Sequence, residues 1–235
     1  MNNSFGGSTA SFEVEGNIMS LIYGDDFKNN STISSDYAFT GLFSNCTKLV
    51  SAENLVLPAT TLTQQCYRYM FRDCTSLTTE PKLPATNLAY FCYGDMFSNC
   101  TSLTTAPELP ATILADYSYN NMFTNCRSLT TAPALPATTL ADSCYIRMFR
   151  GCWSLTTVPE LPATTLEQNC YNSMFEYCGK LNYIKCLATD ISASGCTNNW
   201  VSGVASTGTF VKNPSMESWT TGVSGIPTGW TVQDA

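Results

Sequence analysis

The chain contains no histidine, and charged residues make up only 12% of its 235 residues. Histidine is the commonest general base and the commonest metal ligand, so its absence removes the usual partner of many catalytic and metal sites. The formal net charge is −7, and lysine and arginine form no run. The electrostatic footprint of a protein that binds nucleic acid or anionic lipid is therefore missing.

Long hydrophobic runs are missing as well. No stretch of about 18 or more apolar residues occurs. Residues 1–16 (MNNSFGGSTASFEVEG) show neither the basic head nor the apolar segment of a signal peptide. We therefore expect no membrane insertion, and a chain that is intracellular, a fragment, or a subunit exported by another route.

What the chain does contain is a repeat. The dipeptide Met-Phe occurs five times at a constant spacing of 26 residues, and a cysteine follows three residues after each phenylalanine. These phenylalanines are Phe71, Phe97, Phe123, Phe149 and Phe175. The full unit reads approximately L-T-T-x-P-x-L-P-A-T-x-L-x-x-x-C-Y-x-x-M-F-x-x-C-x-S. Such regular spacing indicates one supersecondary unit stacked on itself, because a single unit cannot bury its own apolar face.

Each unit divides into two segments. In residues 140–152 (LADSCYIRMFRGC), apolar and small side chains recur at intervals that predict a helix of two to three turns. Residues 129–136 (LTTAPALP) are too short for a helix and contain Pro133 and Pro136, so they predict one or two short strands. Neighbouring copies would form a parallel sheet, with the prolines at strand ends or bends.

The sequence thus predicts an α/β repeat solenoid of about six strand-turn-helix units, each of 26 residues, with caps at both ends. Residues 1–35 form the N-terminal cap, with a strand pair expected in it. Residues 36–205 form the solenoid, whose last copy is degenerate. Residues 206–235 form a C-terminal cap, which we expect to be a short hairpin, or a connector.

The unit also resembles a known family. A short strand, a Leu-Pro turn and a segment that ends in Met-Phe-x-x-Cys-x-Ser-Leu resemble the BspA-like leucine-rich repeats of bacterial surface proteins, in which Ala-Phe-x-x-Cys is frequent. The resemblance covers about residues 36–205. The strand departs from the family pattern, because L-T-T-x-P-x-L-P replaces L-x-x-I-x-I-P. The resemblance implies a right-handed leucine-rich-repeat-like array and adhesion or receptor-type binding, not catalysis, although a fold alone does not establish function.

Eleven of the 12 cysteines fall into two columns of the repeat. One column follows Met-Phe or Leu-Phe, and the other precedes tyrosine or its equivalent. Ser118 replaces the cysteine of the second column in one copy, so obligatory pairing between columns would leave Cys126 without a partner. We favour free, buried thiols that act as small core residues. A secreted disulfide framework and a zinc site are the alternatives, and the missing C-x2-C spacing weakens the zinc reading.

The positions that differ between copies flank Met-Phe and are rich in Tyr, Asn, Ser, Gly, Asp and Arg. This composition is typical of adaptable binding surfaces. Solvent-facing drift is the alternative, but drift usually leaves Lys and Glu, which are scarce here. The residues that we predict to bind a partner are Tyr69, Arg72, Tyr90, Phe91, Tyr117, Arg147, Arg150, Trp153 and Tyr177.

No catalytic residue, cofactor site or metal site is predicted. Glu108 and Glu160 are the best carboxylate candidates, but sister copies have Lys82 and Ala134 at that position. A catalytic pair would normally be unique to one place.

We therefore expect a non-catalytic recognition or adhesion module that binds a protein or a glycan, outside the cell or at its surface. The alternative is a structural spacer or fibre segment of a bacterial surface protein or a phage tail. In that case the terminal segment, with Trp219 and Trp230, would matter most.

Overall fold

The chain winds as a repeat solenoid whose successive coils lie parallel to one another. The computed structural model describes residues 7–217 and 219–235, so residues 1–6 of the predicted N-terminal cap lie outside the described residues. The elements in chain order are β1 (Phe12–Glu13), β2 (Gly16–Asn17), α1 (Ser20–Tyr23), a 3-10 helix (Gly24–Asn29), β3 (Leu49–Ser51), β4 (Leu55–Val56), β5 (Tyr183–Cys186), β6 (Thr209–Lys212) and β7 (Thr231–Asp234). All strand pairs are parallel: β1 with β3, β2 with β4, and β5 with β6 and β6 with β7.

In the central coils the sheets shrink to single parallel bridges. Asn87, for example, pairs with Thr61 on one side and with Ile113 on the other. The Pro-x-Leu-Pro segment lies between the two bridged positions of a coil, as Pro81 and Pro84 do. Proline has no N–H to donate to a ladder. The prolines of these segments lie outside the strands and the bridged positions.

The segment around Met-Phe is not a helix, and the helix predicted in each copy is wrong. Among the described residues the only α-helix is α1, and no helix there has the length and apolar character needed to cross a membrane. In residues 63–74, each even-numbered N–H from residue 66 onward closes a turn onto the carbonyl three residues back, as Met70 N does to Tyr67 O at 3.2 Å. Each odd-numbered N–H from residue 65 onward donates to the next coil, as Phe71 N does to Met96 O at 2.9 Å. We call this segment and its equivalents in the other coils the turn ribbon.

The turn ribbon needs a left-handed backbone conformation at every fourth residue. In residues 63–74 the residues concerned are Gln65, Tyr69 and Asp73, with φ of 53°, 61° and 62°. Gly, Asn and Asp adopt this conformation at the lowest cost. They fill many of the equivalent positions in other coils, including Asp95, Asn99, Asn121, Asn125, Gly151, Asn169 and Gly203.

The burial pattern also has a period of four. The buried residues of this segment are Cys66, Tyr67, Met70, Phe71 and Cys74. An α-helix has about 3.6 residues per turn and would also bury the third and seventh residues after Cys66. Those residues are Tyr69 and Asp73, which lie at the surface. Two residues therefore point into the core and the next two lie towards the surface, although a few of the second pairs in other coils, such as Asn120 and Thr124, are also buried.

Two aromatic ladders fill the core along the solenoid axis. One ladder consists of stacked tyrosines whose neighbouring ring centroids lie 5.7 to 6.1 Å apart: Tyr67, Tyr93, Tyr119, Tyr145 and Tyr171. The other ladder consists of stacked phenylalanines whose neighbouring ring centroids lie 5.4 to 6.0 Å apart: Phe43, Phe71, Phe97, Phe123, Phe149 and Phe175. Trp200 lies 6.1 Å from both Tyr171 and Phe175 and closes both ladders. Each such contact contributes about 0.5–1.5 kcal/mol beyond the burial of its area.

All twelve cysteines are buried thiols outside any disulfide, in agreement with the packing interpretation. In the column after Met-Phe, each thiol donates to the phenylalanine carbonyl of the preceding coil, as Cys100 Sγ does to Phe71 O at 3.1 Å. That carbonyl already accepts Cys74 N–H at 3.1 Å, and the thiol uses its second lone pair. The same contact recurs at 3.0 to 3.1 Å for Cys74, Cys126, Cys152 and Cys178.

The two ends of the described chain continue the parallel stack. β1 and β2 do not pair with each other but lie beside β3 and β4. In residues 206–235, of which Ser218 is not described, β6 and β7 are parallel, with Thr209 opposite Thr231. A hairpin would make these strands antiparallel, so the hairpin expected here is wrong.

Ser118 gives a test of the core packing. Its side chain is fully buried at the position that Cys92 and Cys144 hold in the adjacent coils, and its hydroxyl has no hydrogen-bond partner among the described residues. An unsatisfied buried hydroxyl costs about 1–3 kcal/mol. We expect Ser118→Cys to raise the free energy of unfolding by about 1 kcal/mol, measured by urea denaturation in reducing buffer. The controls Cys92→Ser and Cys144→Ser should lower it, and an S118C protein no more stable than the parent would contradict this account.

Candidate functional site

The buried thiols are unsuited to nucleophilic chemistry. Burial raises the pKa of the Cys66, Cys126 and Cys178 thiols to about 12. The thiolate is the reactive form, and reactive cysteines have a lowered pKa and some exposure. Within the described residues, no group of three or more His, Cys, Asp or Glu side chains is arranged to hold a metal ion. The candidate site therefore lies among surface side chains.

The outward-pointing pairs of the turn ribbon form one continuous surface, which we call the ribbon face. All nine predicted binding residues lie on this face or directly beside it, and none of them is buried. The structure gathers most of them into two groups, one in the coils of Tyr69, Phe91 and Tyr117 and the other around Trp153 and Tyr177. Arg147 is exposed and belongs to neither group.

The first group is an aromatic patch formed by Arg68, Tyr69, Tyr90, Phe91 and Tyr117. Phe91 and Tyr117 stack with their ring centroids 4.8 Å apart. Tyr90 contacts both rings edge-on, at 5.1 Å from Phe91 and 5.7 Å from Tyr117. Three aromatic side chains from two neighbouring coils thus form a single surface, of which Tyr90 is 42% exposed.

Arg68 joins this patch; it is one of the variable positions that flank Met-Phe but is not among the nine residues predicted to bind a partner. Its guanidinium lies 4.4 Å from the Tyr69 ring centroid and 4.4 Å from the Phe91 ring centroid. It donates to Gln65 Oε1 at 2.7 Å and to the Tyr69 hydroxyl. A guanidinium between two rings gains cation–π attraction. These contacts hold the patch in one arrangement before any partner binds.

Asp95 lies beneath the arginines of the same region. Burial raises the pKa of its carboxyl to about 6, and the nearby charges of Arg72 and Arg68 oppose this rise. Arg72 also lies 5.2 Å from the Tyr69 ring centroid. A partly desolvated carboxylate next to two arginines reduces the net positive charge of the patch, which is therefore aromatic with little net charge.

The second group forms the Trp153–Tyr177 groove, an open depression of about 610 Å³. Arg127 stacks on Trp153 at 4.7 Å, and Arg150 lies 5.4 Å from the Tyr177 ring centroid. Arg150 Nε also donates to Glu176 Oε2 at 2.6 Å. Lys180 lies on the rim of the groove and is exposed. This group is more basic than the aromatic patch.

Several aromatics of both groups occupy left-handed backbone positions. The φ angles of Tyr69, Phe91, Tyr117 and Tyr177 lie between 53° and 63°. A bulky residue in this region is an outlier with a cost of about 1–3 kcal/mol. Part of the polar composition of the ribbon face follows from this geometry, because Asn, Asp and Gly are the residues that the backbone prefers.

No protein-family model matches the chain, and no curated protein or solved structure matches it either. Its function is therefore inferred from its own surface. The charged side chains of the two groups that are not among the nine predicted binding residues include Arg68, Asp95, Arg127, Glu176 and Lys180, of which Arg68, Asp95 and Glu176 are variable positions that flank Met-Phe. Arg127 stands 26 residues before Trp153, so coil-to-coil spacing is the signal that would have paired them.

Asp95 allows a pH test of the aromatic patch. Its pKa of about 6 exceeds its ordinary value of 3.8. The folded protein therefore holds this proton more tightly than the unfolded chain, so the stabilising contribution is complete below about pH 4 and is lost as the pH rises through 6. We expect Asp95→Asn to remove this loss and to raise the free energy of unfolding at pH 7.5 by on the order of 2 kcal/mol.

The measurement compares urea unfolding of the parent and D95N proteins at pH 4.5 and pH 7.5. Asn suits the left-handed φ of this position, as Asn121 shows in the next coil. Burial also raises the pKa of Glu80, which contributes with the same sign in both proteins. The difference between the two pH profiles therefore isolates Asp95, and parallel profiles would contradict the prediction.

Proposed function

We propose that this protein is a non-catalytic recognition module that binds a protein or glycan partner through the aromatic and arginine side chains of the ribbon face. One observation carries the proposal. Tyr69, Phe91, Tyr117 and Tyr177 stand in left-handed backbone positions, where most other coils have Asn, Asp or Gly and a few have Ser, Gln, Arg or Tyr. Strain of this kind is concentrated at functional sites, because stability alone would remove it.

The strained aromatics gain little from the core in return. The core ladders are complete without them, since each ribbon coil from Tyr67 to Tyr171 already buries its own tyrosine and phenylalanine. Tyr177 remains 50% exposed, and Trp153 beside it is 53% exposed. Rigid aromatic side chains at a surface supply contact area at a low cost in conformational entropy. Their placement suits binding better than stability.

The arginines have the same distribution. All five arginines of the chain lie on or beside the ribbon face: Arg68, Arg72, Arg127, Arg147 and Arg150. Four of them stack on the exposed aromatics. Tyr, Trp and Arg are the residues enriched at the energetic centres of interfaces. An arrangement of fixed aromatic and guanidinium groups needs little reordering when a partner arrives.

The proposal includes a location and a family. The resemblance of residues 36–205 to BspA-like leucine-rich repeats of bacterial surface proteins supports an adhesion role, outside the cell or at its surface, and a right-handed winding. The turn ribbon replaces the helix that a leucine-rich repeat would have. Solenoids of several classes nevertheless present extended binding surfaces. The low charge supports a protein or glycan partner and not a nucleic acid.

A binding test can use substitutions copied from sister coils. Tyr90→Gln, Phe91→Asn and Tyr117→Asn introduce the residues that Gln168 and Asn169 provide at the same repeat positions. We expect this triple variant to unfold at an equal or higher urea concentration, because Asn relieves the left-handed strain. We also expect about a tenfold or greater loss of affinity for any surface that the parent binds saturably. Biolayer interferometry against host-cell, bacterial-cell and glycan surfaces measures it.

The matched control is Ile113→Thr. Ile113 is 65% exposed, lies at a bridge of the sheet and stands outside the turn ribbon of its coil. Sister coils have Thr139 and Thr165 at this position, so the fold accepts the change. I113T should bind like the parent. Equal binding by the triple variant and the parent would overturn the ribbon-face assignment, and a parent that binds no surface would remove the recognition proposal.

A structural spacer or fibre segment is the second candidate, and β7 is the observation in its favour. Among the described residues, β7 has β6 on one side and no strand on the other, and its four residues are exposed. Thr231 N and Ala235 N donate to the β6 side. Alternation along the strand then directs the Val232 N–H outward. An open edge is a template for pairing with another chain.

The spacer hypothesis predicts that the parent forms larger assemblies as its concentration rises, and that Val232→Pro remains monomeric. Proline removes the outward N–H and leaves the bonds to β6 in place. Deleting residues 206–235 would be a poor test, because Trp219 stacks on Trp200 at 5.7 Å and Trp230 Nε1 donates to Ala205 O. Sedimentation velocity measures the assembly state of the parent, of V232P and of the control Val232→Thr. A parent that stays monomeric would sink the hypothesis.

A further inference from the structure

We infer that the Trp153–Tyr177 groove binds an acidic sugar, that is, a pyranose ring that carries a carboxylate. The inference rests on the proposed recognition function and names the ligand class of one site within it. The volume of about 610 Å³ lies within the range of small-ligand sites. The walls, the floor and the charge of the groove each contribute to this inference.

Two glycines line the groove between its aromatic walls. Gly151 stands one coil before Tyr177 in the same column, and Gly179 stands one coil after Trp153 in its column. All four residues line the groove. Gly179 leaves exposed backbone beside the aromatic side chains, whereas Gly151 is buried, with Asn125 Oδ1 over the position that a Cβ would take. Flat ring faces beside exposed backbone match the C–H face of a pyranose, and the surrounding polar groups can meet its hydroxyls.

Trp153 is held in place from one side only. Arg127, in the preceding coil, stacks on the indole at 4.7 Å and does not line the groove. The groove lies on the side of the following coil, next to Gly179 and Tyr177. One indole face is therefore covered by Arg127, and the other face is available to a ligand. A fixed ring costs little entropy when a ligand stacks on it.

Arg150 is also fixed before binding. Its Nε donates to Glu176 Oε2 at 2.6 Å, and its guanidinium lies 5.4 Å from the Tyr177 ring centroid. The described residues provide no hydrogen-bond partner for its two terminal nitrogens. A guanidinium in this state presents a planar pair of donors that fits a carboxylate in a bidentate manner.

The charge of the groove selects an acidic ligand. Arg150 and Lys180 are the cations that line it, and Glu176, which pairs with Arg150, has a side chain only 15% exposed. The rest of a chain of net charge −7 would repel an anion. A local basic site on an acidic protein therefore supplies both orientation and discrimination. Two cations are too few for binding along a phosphate backbone, where affinity depends on many such contacts.

The experiment uses trigalacturonic acid and its methyl ester, which share ring shape and differ in charge. We expect the parent to bind the acid about tenfold or more tightly than the ester in 20 mM salt, with a smaller difference in 300 mM salt. Isothermal titration calorimetry measures both ligands. Triglutamate is the probe for an acidic peptide in place of a sugar.

Sister coils again supply variants that the fold accepts. Trp153→Thr copies Thr101, Arg150→Thr copies Thr124, and Lys180→Ser copies Ser154. W153T should weaken both sugar ligands about tenfold, because the indole contacts the ring itself. R150T and K180S should weaken the acid alone and bring it towards the affinity of the ester. I113T should change neither.

Equal affinity for acid and ester, or acid binding that W153T leaves unchanged, would overturn the inference. Binding of triglutamate that depends on Trp153 in the absence of sugar binding would replace the sugar with an acidic peptide and overturn it as well. If none of these ligands binds while the triple variant of the aromatic patch still loses binding to a surface, the inference fails and the proposed function stands. If none of these ligands binds and the triple variant binds every surface as the parent does, both the inference and the proposed function fail.

Discussion

The hydrogen bonds between successive turn ribbons are the interaction on which the rest of this structure depends. Alternate N–H groups have no partner within their own coil and must find a carbonyl in the next one, as Tyr67 N finds Cys92 O at 3.0 Å. Unpaired buried backbone groups are costly, so the ribbon segments of neighbouring coils must have the same number of residues. The interval from Phe43 to Phe71 is 28 residues instead of 26, and it obeys this rule. Its extra residues lie outside the ribbon, and Phe43 N still donates to Met70 O at 2.9 Å.

The same bonds determine what the core and the surface can be. Equivalent residues of successive coils must lie one above another, so each core column favours one kind of side chain and becomes a ladder mainly of Tyr, Phe, Met or Cys. The cysteine column shows how narrow the choice is, because the side chain must be small and must also donate to a carbonyl, as Cys126 Sγ does to Phe97 O. The outward positions are less constrained. Their left-handed backbone favours Asn, Asp and Gly, and some of them also hydrogen-bond from coil to coil, as Asn99 Nδ2 does to Asp73 Oδ1 at 2.7 Å.

The sequence was sufficient for those properties that depend on spacing. The repeat, the buried Met-Phe columns, the free thiols and the surface position of residues such as Tyr90 and Trp153 all follow from a constant interval. The helix was mispredicted because, over so short a segment, a burial period of four residues resembles the 3.6 residues per turn of an α-helix. The pattern of hydrophobic residues also does not reveal which residues have a positive φ. The recurring Asn, Asp and Gly columns were the available signal. Groupings such as Arg68 with Phe91 depend on contacts between coils, which appear only once the segment is known not to be a helix.

Under the proposed recognition function, the placement of both groups on one face has a consequence for the size of the partner. The coils of Phe91 and Tyr177 are three steps apart, and strands in a ladder are separated by about 4.8 Å, so the aromatic patch and the groove lie within about 15 Å along the axis. A single sugar ring or side chain cannot span that distance, whereas an extended chain of a few residues or rings can. Contacts that are weak singly then act at a high effective concentration. A solenoid that repeats one backbone with different outward side chains is suited to a ligand that is itself extended.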